Sequence, residues 1–169
     1  DDVGHDDRTN SPNFKELERL FEEIDKSLSG KVHFFVIGGA MLLYHKLKTV
    51  TKDIDIVVDD SKEFRTVKKT LKEMGFSGKI AEKEYKNVCL SQIFIRDDFR
   101  IDLFHRTVCK GFVLSKAMQK RADKILELKH LIVSLCSEED VFVFKTFTER
   151  EGDIEDCIAI IKHEKLDFQ

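Results

Sequence analysis

Two aspartates, Asp53 and Asp55, alternate with apolar residues in the run DIDIVV. In a β-strand, residues two apart share a face. The pattern therefore predicts two carboxylates projecting together while Ile54 and Ile56 turn to the core. Carboxylates side by side repel, and burying them unpaired is costly. A divalent cation removes that cost, since Mg²⁺ takes one or two carboxylates and completes its shell with water and phosphate oxygens. Upstream, Gly38 and Gly39 follow an apolar run at 32–37 that reads as a short buried strand. A backbone without side chains lets a phosphate come close. Residues 40–47 read as two turns of helix, whose free N–H groups and positive dipole end would point at the same phosphate. Strand, Gly-Gly, helix and aspartate strand together predict a holder for a metal-bound triphosphate. The alternative is a surface hairpin with solvated aspartates. Either motif alone is common, and it is their order and spacing that carry the prediction.

The elements that would position these residues follow from periodicity. Ser11 and Pro12 mark a helix start. Phe14, Leu17, Leu20, Phe21, Ile24 and Leu28 then recur at helical spacing, with Gly30 as the stop. A second helix is expected from a Ser61 cap through Phe64, Val67, Leu71 and Met74 to Gly75. Residues 88–95 and 99–104 read as strands, joined by a hairpin turn at Arg96, Asp97 and Asp98. Residues 115–122 read as a short basic helix. The stretch 125–135 reads as a strand pair with a bend or as one helix, and the β-branched Ile132 and Val133 favour strand. Ser137 with Asp140 resembles a capping box ahead of a helix at 141–151, and a second helix is expected at 153–162. The fold class is α/β (α+β): a small mixed β-sheet flanked by helices, with a helical C-terminal part. The expected organisation is a disordered or tag-like segment at 1–10, a catalytic core at 11–110 and a mostly helical part at 111–169 that closes the cleft.

Composition bounds the function classes. The chain of 169 residues is 41% hydrophobic and 36% charged, with a net charge of −3. That suits a globular domain with a proper core and gives no global field for nucleic acid. No apolar run approaches the ~20 residues of a membrane span. The acidic N-terminal residues are unlike a signal peptide. The four cysteines form no C-x-x-C pair, which suits reduced thiols in a cytoplasmic protein. No P-loop signature is present.

The glycine and aspartate motifs resemble the nucleotidyltransferase superfamily, the group that shares the catalytic fold of DNA polymerase beta. Its pattern is an apolar residue, Gly-Gly or Gly-Ser, a spacer, then Asp-x-Asp flanked by apolar residues. Here these are Ile37-Gly38-Gly39 and Asp53-Ile54-Asp55-Ile56. Thr51-Lys52-Asp53-Ile54-Asp55 is similar to the minimal and toxin-type (AbiEii-like) members. Many of those carry an arginine where this chain has Thr49, with Lys46 and Lys48 nearby. The resemblance implies the nucleotidyltransferase fold. It also implies a third carboxylate from a later strand beside the Asp-x-Asp strand, a setting that Asp102 matches within Arg100-Ile101-Asp102-Leu103. On residue pattern alone, Asp102 could instead face solvent on an edge strand. His105 reads as a rim or core histidine.

A second likeness lies further on. Lys145 interrupts Val141, Phe142, Val143, Phe144 and Phe147, and would reach out to an anion or snorkel along the core. Arg150, Asp153 and Asp156 match an Arg-x-x-Asp-x-x-Asp run of toxin-type members, or form a plain ion-pair ladder. The resemblance implies Mg²⁺-dependent transfer of a nucleoside monophosphate from an NTP to a hydroxyl acceptor, with two ions bridged by Asp53 and Asp55 and completed by Asp102. Gly38, Gly39, Thr51 and Lys145 would hold the triphosphate. The acceptor would be an RNA end, a protein or a small molecule. The alternative is a non-catalytic nucleotide- or partner-binding protein on the same fold, such as a regulatory or toxin–antitoxin component.

Overall fold

The computed structural model describes residues 14–38, 53–79, 88–109 and 112–148, and the side chains of all of these except 88–91, 109, 112 and 144–148. Helix α1 spans Phe14–Ser27, and Leu17, Leu20, Phe21 and Ile24 form its buried stripe. The stripe lies on strand β1, Val32–Val36, where the Phe21 and Phe34 rings meet edge-on at 6.3 Å. Strand β2 is Asp53–Val58 and helix α2 is Ser61–Glu73. The expected Ser61 cap is corrected: Asp60 is the cap, its side chain accepting the Glu63 N–H at 2.9 Å. Ser61 is already inside the helix, and its hydroxyl pairs with His105 Nε2 at 3.3 Å. Gly75 ends α2 as expected, in a left-handed conformation (φ +92°) that an L side chain rarely adopts.

The short strand β3, Ser77–Lys79, leads to β4, Val88–Arg96, and β5, Phe99–Cys109. The β4–β5 hairpin turns at Asp97 and Asp98 as expected, with Asp97 at φ +52°, where aspartate is tolerated. Strand β6 is Phe112–Val113, helix α3 is Lys116–Arg121, and the strand pair is β7, Asp123–Glu127, and β8, Leu131–Leu135. Helix α4, Glu138–Thr148, opens on the serine half of the expected capping box: Ser137 Oγ accepts the Asp140 N–H at 3.2 Å, and it donates to Asp140 Oδ2 at 2.8 Å.

These strands form one mixed sheet in the order β3-β4-β5-β2-β1-β8-β7, with β6 beside β5. The β2–β5 and β1–β8 pairings are parallel and the others antiparallel. The boundary expected near residue 110 does not divide sheet from helices, because β7 and β8 belong to the same sheet and β8 lies directly beside β1. The reason is that Leu131, Val133 and Leu135 are buried, so this strand extends the core rather than closing over it. Phe34 faces α1, and so by alternation does Val36, whose register partner is Ile56. Ile54, Ile56 and Val58 therefore turn toward the helices, and Asp53, Asp55 and Val57 turn to the opposite face. No helix among the described residues is long and apolar enough to cross a membrane.

Candidate functional site

The parallel pairing of β2 with β5 sets the site. Its register places Asp53 opposite Arg100 and Asp55 opposite Asp102. Register partners share a sheet face, and neighbouring strands run about 4.8 Å apart. Four charged residues thus form a two-by-two array on the face away from α1. Its inner pair is nearly sealed, with Asp55 3% and Asp102 1% exposed. The outer pair is at the rim, with the Asp53 and Arg100 side chains 40% and 28% exposed. Arg100 Nε donates to Asp102 Oδ1 at 2.8 Å and lies 3.7 Å from Asp53 Oδ1. Two other atoms of the inner pair, Asp55 Oδ1 and Asp102 Oδ2, are buried as well.

Gly38 adjoins this pair for a steric reason. It is buried just beyond β1, and the Ile37 N–H bonds the Asp55 carbonyl at 3.0 Å. A β-carbon at Gly38 would collide with Asp55 Oδ2, and would stand 2.7 Å from its Cγ and 2.9 Å from its Cβ. Glycine here lets β1 pass directly beneath the Asp55 carboxylate. The sequence reasoning assigned Gly38 to a phosphate; the structure shows that its hydrogen also makes room for an aspartate.

Of the expected site residues, Asp53, Asp55, Asp102 and Gly38 come together. Gly39, Thr51, the helix at 40–47, Arg150, Asp153 and Asp156 lie outside the described residues, as does the helix at 153–162. Lys145 falls within α4, but its side chain is likewise outside them. His105 is not part of the site. It stacks on Phe64 of α2 at 4.8 Å, on the helix-covered face. Among the described residues no group of three or more His, Cys, Asp or Glu side chains is placed to hold a metal ion. The donor set nonetheless fits Mg²⁺ at the inner pair, because carboxylates on adjacent strands, two at most, are what that ion takes from a protein. Arg100 is the residue that sequence reasoning missed. The signal was available: in strand β5 it stands two before Asp102, and alternation puts a guanidinium beside that carboxylate.

Comparison with known proteins bears on the fold and on the family. A crystal structure from Thermotoga maritima, described as that of a "putative nucleotidyltransferase", superposes on the chain with a TM-score of 0.57 at 16% identity, covering 90% of this chain and 95% of that one. The two proteins therefore share a fold. No curated protein matches the chain. The match that reaches beyond fold is a family model covering residues 15–169, a span that holds both aspartate strands and the helices that back them. By that match the chain belongs to the family described as "Nucleotidyltransferase of unknown function (DUF6036)".

Proposed function

We propose that the chain moves a nucleoside monophosphate from an NTP to a hydroxyl acceptor with the help of Mg²⁺. One observation carries the reading: Asp55 and Asp102 are buried register partners on parallel strands, with Asp55 packed on Gly38. Burying two like charges together is unfavourable without a countercharge, and it is worthwhile in a site built for a cation. When bound, the ion would polarise the phosphoryl oxygens and stabilise the charge that builds up in transfer. Asp55 and Asp102 would hold it, and Asp53 at the rim would face the incoming substrate. Asp102 would also accept the proton of the attacking hydroxyl. The acceptor oxygen bonds to the α-phosphorus, the bond from that phosphorus to the bridging oxygen breaks, and pyrophosphate leaves with the electron pair. The Gly38 backbone, with Gly39, Thr51 and Lys145, would hold the triphosphate. The acceptor would be an RNA end, a protein or a small molecule, and the toxin-type likeness of the Thr51–Asp55 stretch favours a macromolecule.

A second reading has one observation in its favour. The ion pair of Arg100 with Asp102 already supplies a countercharge, as a binding protein without catalysis would need. Incubation with α-³²P-labelled NTPs, Mg²⁺ and each acceptor class separates the two. Asp55→Asn and Asp102→Asn should each lower transfer by at least about 10²-fold, the equivalent of several kcal/mol of lost charge stabilisation. Variants that fold and transfer label as well as wild type would overturn the proposal. NTP binding with no transfer to any acceptor would favour the second reading.

A further inference from the structure

We infer that the outer face of helix α2 is a docking surface for double-helical RNA, which it holds by the phosphate backbone. The surface lies on the opposite side of the sheet from the carboxylates, so the inference goes beyond the transfer reading. Only the choice of RNA, whose ends are among the proposed acceptors, rests on that reading.

The helix has two unlike faces. Phe64, Val67, Thr70 and Leu71 are buried. Lys62, Arg65, Lys69 and Lys72 are exposed, and their spacing of three, four and three residues lines them up along one side. At 1.5 Å per residue the row is about 15 Å long. Lys68 adjoins it, with its ammonium 4.7 Å from the centre of the Phe64 ring. The acids at the start of the segment are engaged. Asp60 caps the helix, and Glu63 is half-buried and accepts the His33 N–H at 2.8 Å. Asp59 is met by Arg106 at 3.6 Å and by Lys116 at 3.0 Å. Glu73 stands beside the row, 3.9 Å from Lys69, but both side chains are exposed and such a pair is worth little.

This charge is local. The chain as a whole carries −3, whereas SKEFRTVKKTLKE in α2 holds five bases and two acids. The neighbouring α1 is the reverse, with five acids and three bases in FKELERLFEEIDKS. An anionic partner is therefore drawn to α2 and turned away from the helix beside it.

The chemistry of the row selects the partner. Phosphates follow one another at about 3.4 Å along one strand of a duplex, so the row faces about four of them, one for each cation. A single strand is held by stacking its bases on aromatic rings, and the row carries none. An anionic membrane takes an amphipathic helix by its apolar face, and α2 has turned that face into the core.

The test is fluorescence anisotropy of a short labelled RNA duplex of mixed sequence, titrated with the full chain. Metal and nucleotide are left out, so the result does not depend on transfer. Four phosphate contacts give a slope of log K against log salt of about −3.6, a loss of about 100-fold between 50 and 200 mM. Replacing Lys62, Arg65, Lys69 and Lys72 together by Gln should weaken binding at least about tenfold at 50 mM and flatten the slope by at least about 2. Lys62→Arg, Lys69→Arg and Lys72→Arg together keep the charge and should keep both values. Lys15→Gln, Arg19→Gln and Lys26→Gln together, on α1, should leave affinity within about threefold. No binding by wild type, or equal losses from the two helices, would overturn the inference. So would tighter binding of polyglutamate or of phosphatidylserine vesicles than of RNA, which would assign the face to an acidic protein or a membrane. A DNA duplex bound more tightly than RNA would overturn the choice of RNA. If the fourfold variant does not fold, as circular dichroism would report, Lys72→Gln alone decides. Its slope should be shallower by about 0.9, and an unchanged slope rejects the surface.

Discussion

Gly38→Ala puts the steric argument at the site under direct test. The new methyl carbon would be placed on top of Asp55 Oδ2, with Cγ at 2.7 Å and Cβ at 2.9 Å. Oδ2 can swing aside, but Cβ is tied to the β2 backbone, and that strand is held in register by β1 and β5. Overpacking of a tight interior costs about 1–3 kcal/mol. The lost freedom of the unfolded chain on replacing glycine returns about 0.4–1 kcal/mol. A net loss of about 1–2 kcal/mol is expected, or roughly 2–8 °C in Tm for a chain of this length. Asp55→Ala alone should be mild, since it removes a buried carboxylate together with its desolvation cost. The double variant should recover part of the loss, because Cγ and Oδ2 are gone and only the Cβ contact remains. Urea unfolding of all four proteins with an unchanged m-value gives the coupling. Losses that add to within about 0.5 kcal/mol would refute the packing of Asp55 on Gly38.

Two further outcomes follow from buried groups elsewhere. Burial, and then the charge of Lys124, hold the His33 imidazole below its ordinary value of 6.5. The unfolded chain then takes up a proton first as pH falls below about 6.5, so stability is lost in that direction. Between pH 7.5 and 5.5, His33→Gln should therefore lose less stability than wild type, and an equal or larger loss in the variant would contradict the shift. Glu63, raised by burial, acts with the opposite sign, but it is present in both proteins and cancels in the comparison. Burial, with the charge of Asp140, pushes the Cys136 thiol up to about 12. Iodoacetamide at pH 8 should label Cys136 at least about 100-fold more slowly in the folded protein than in urea, as followed by peptide mass spectrometry. Similar rates in both would show that this cysteine is open to solvent.

Local pattern made much of the architecture readable. Alternation in 53–58 predicted both the strand and the face of its aspartates, and the 3.6-residue recurrence from Phe14 predicted α1. β-branching at Ile132 and Val133 favoured strand over helix for β8, and β8 is a strand. Its neighbour was another matter. Nothing local in 131–135 says that this strand pairs in parallel with β1, because a parallel partner can lie anywhere in the chain. That is why the boundary near 110 was misplaced. The Ser61 cap was misread for a similar reason: Asp60 and Ser61 are both good caps, and the choice depended on His105 engaging the serine hydroxyl from a distant strand. At the site, types and spacing indicated which carboxylates would share a face. They gave no sign that Asp55 would lie across Gly38, since that contact depends on how closely two strands pass.

The position of β8 also bears on the order in which the protein can assemble as it is made. Asp53, Asp55, Arg100 and Asp102 and the strands that carry them are all synthesised before residue 110, and β2 can pair with β5 from that point. The far edge of β1 has no partner until residues 131–135 emerge, and a pairing between such distant segments forms slowly. Until then β1 offers Phe34, Phe35 and Val36 on an open edge, the kind of edge that recruits a strand from another chain. A chain shortened to residue 110 would carry every carboxylate of the candidate site, yet it would leave that hydrophobic edge bare.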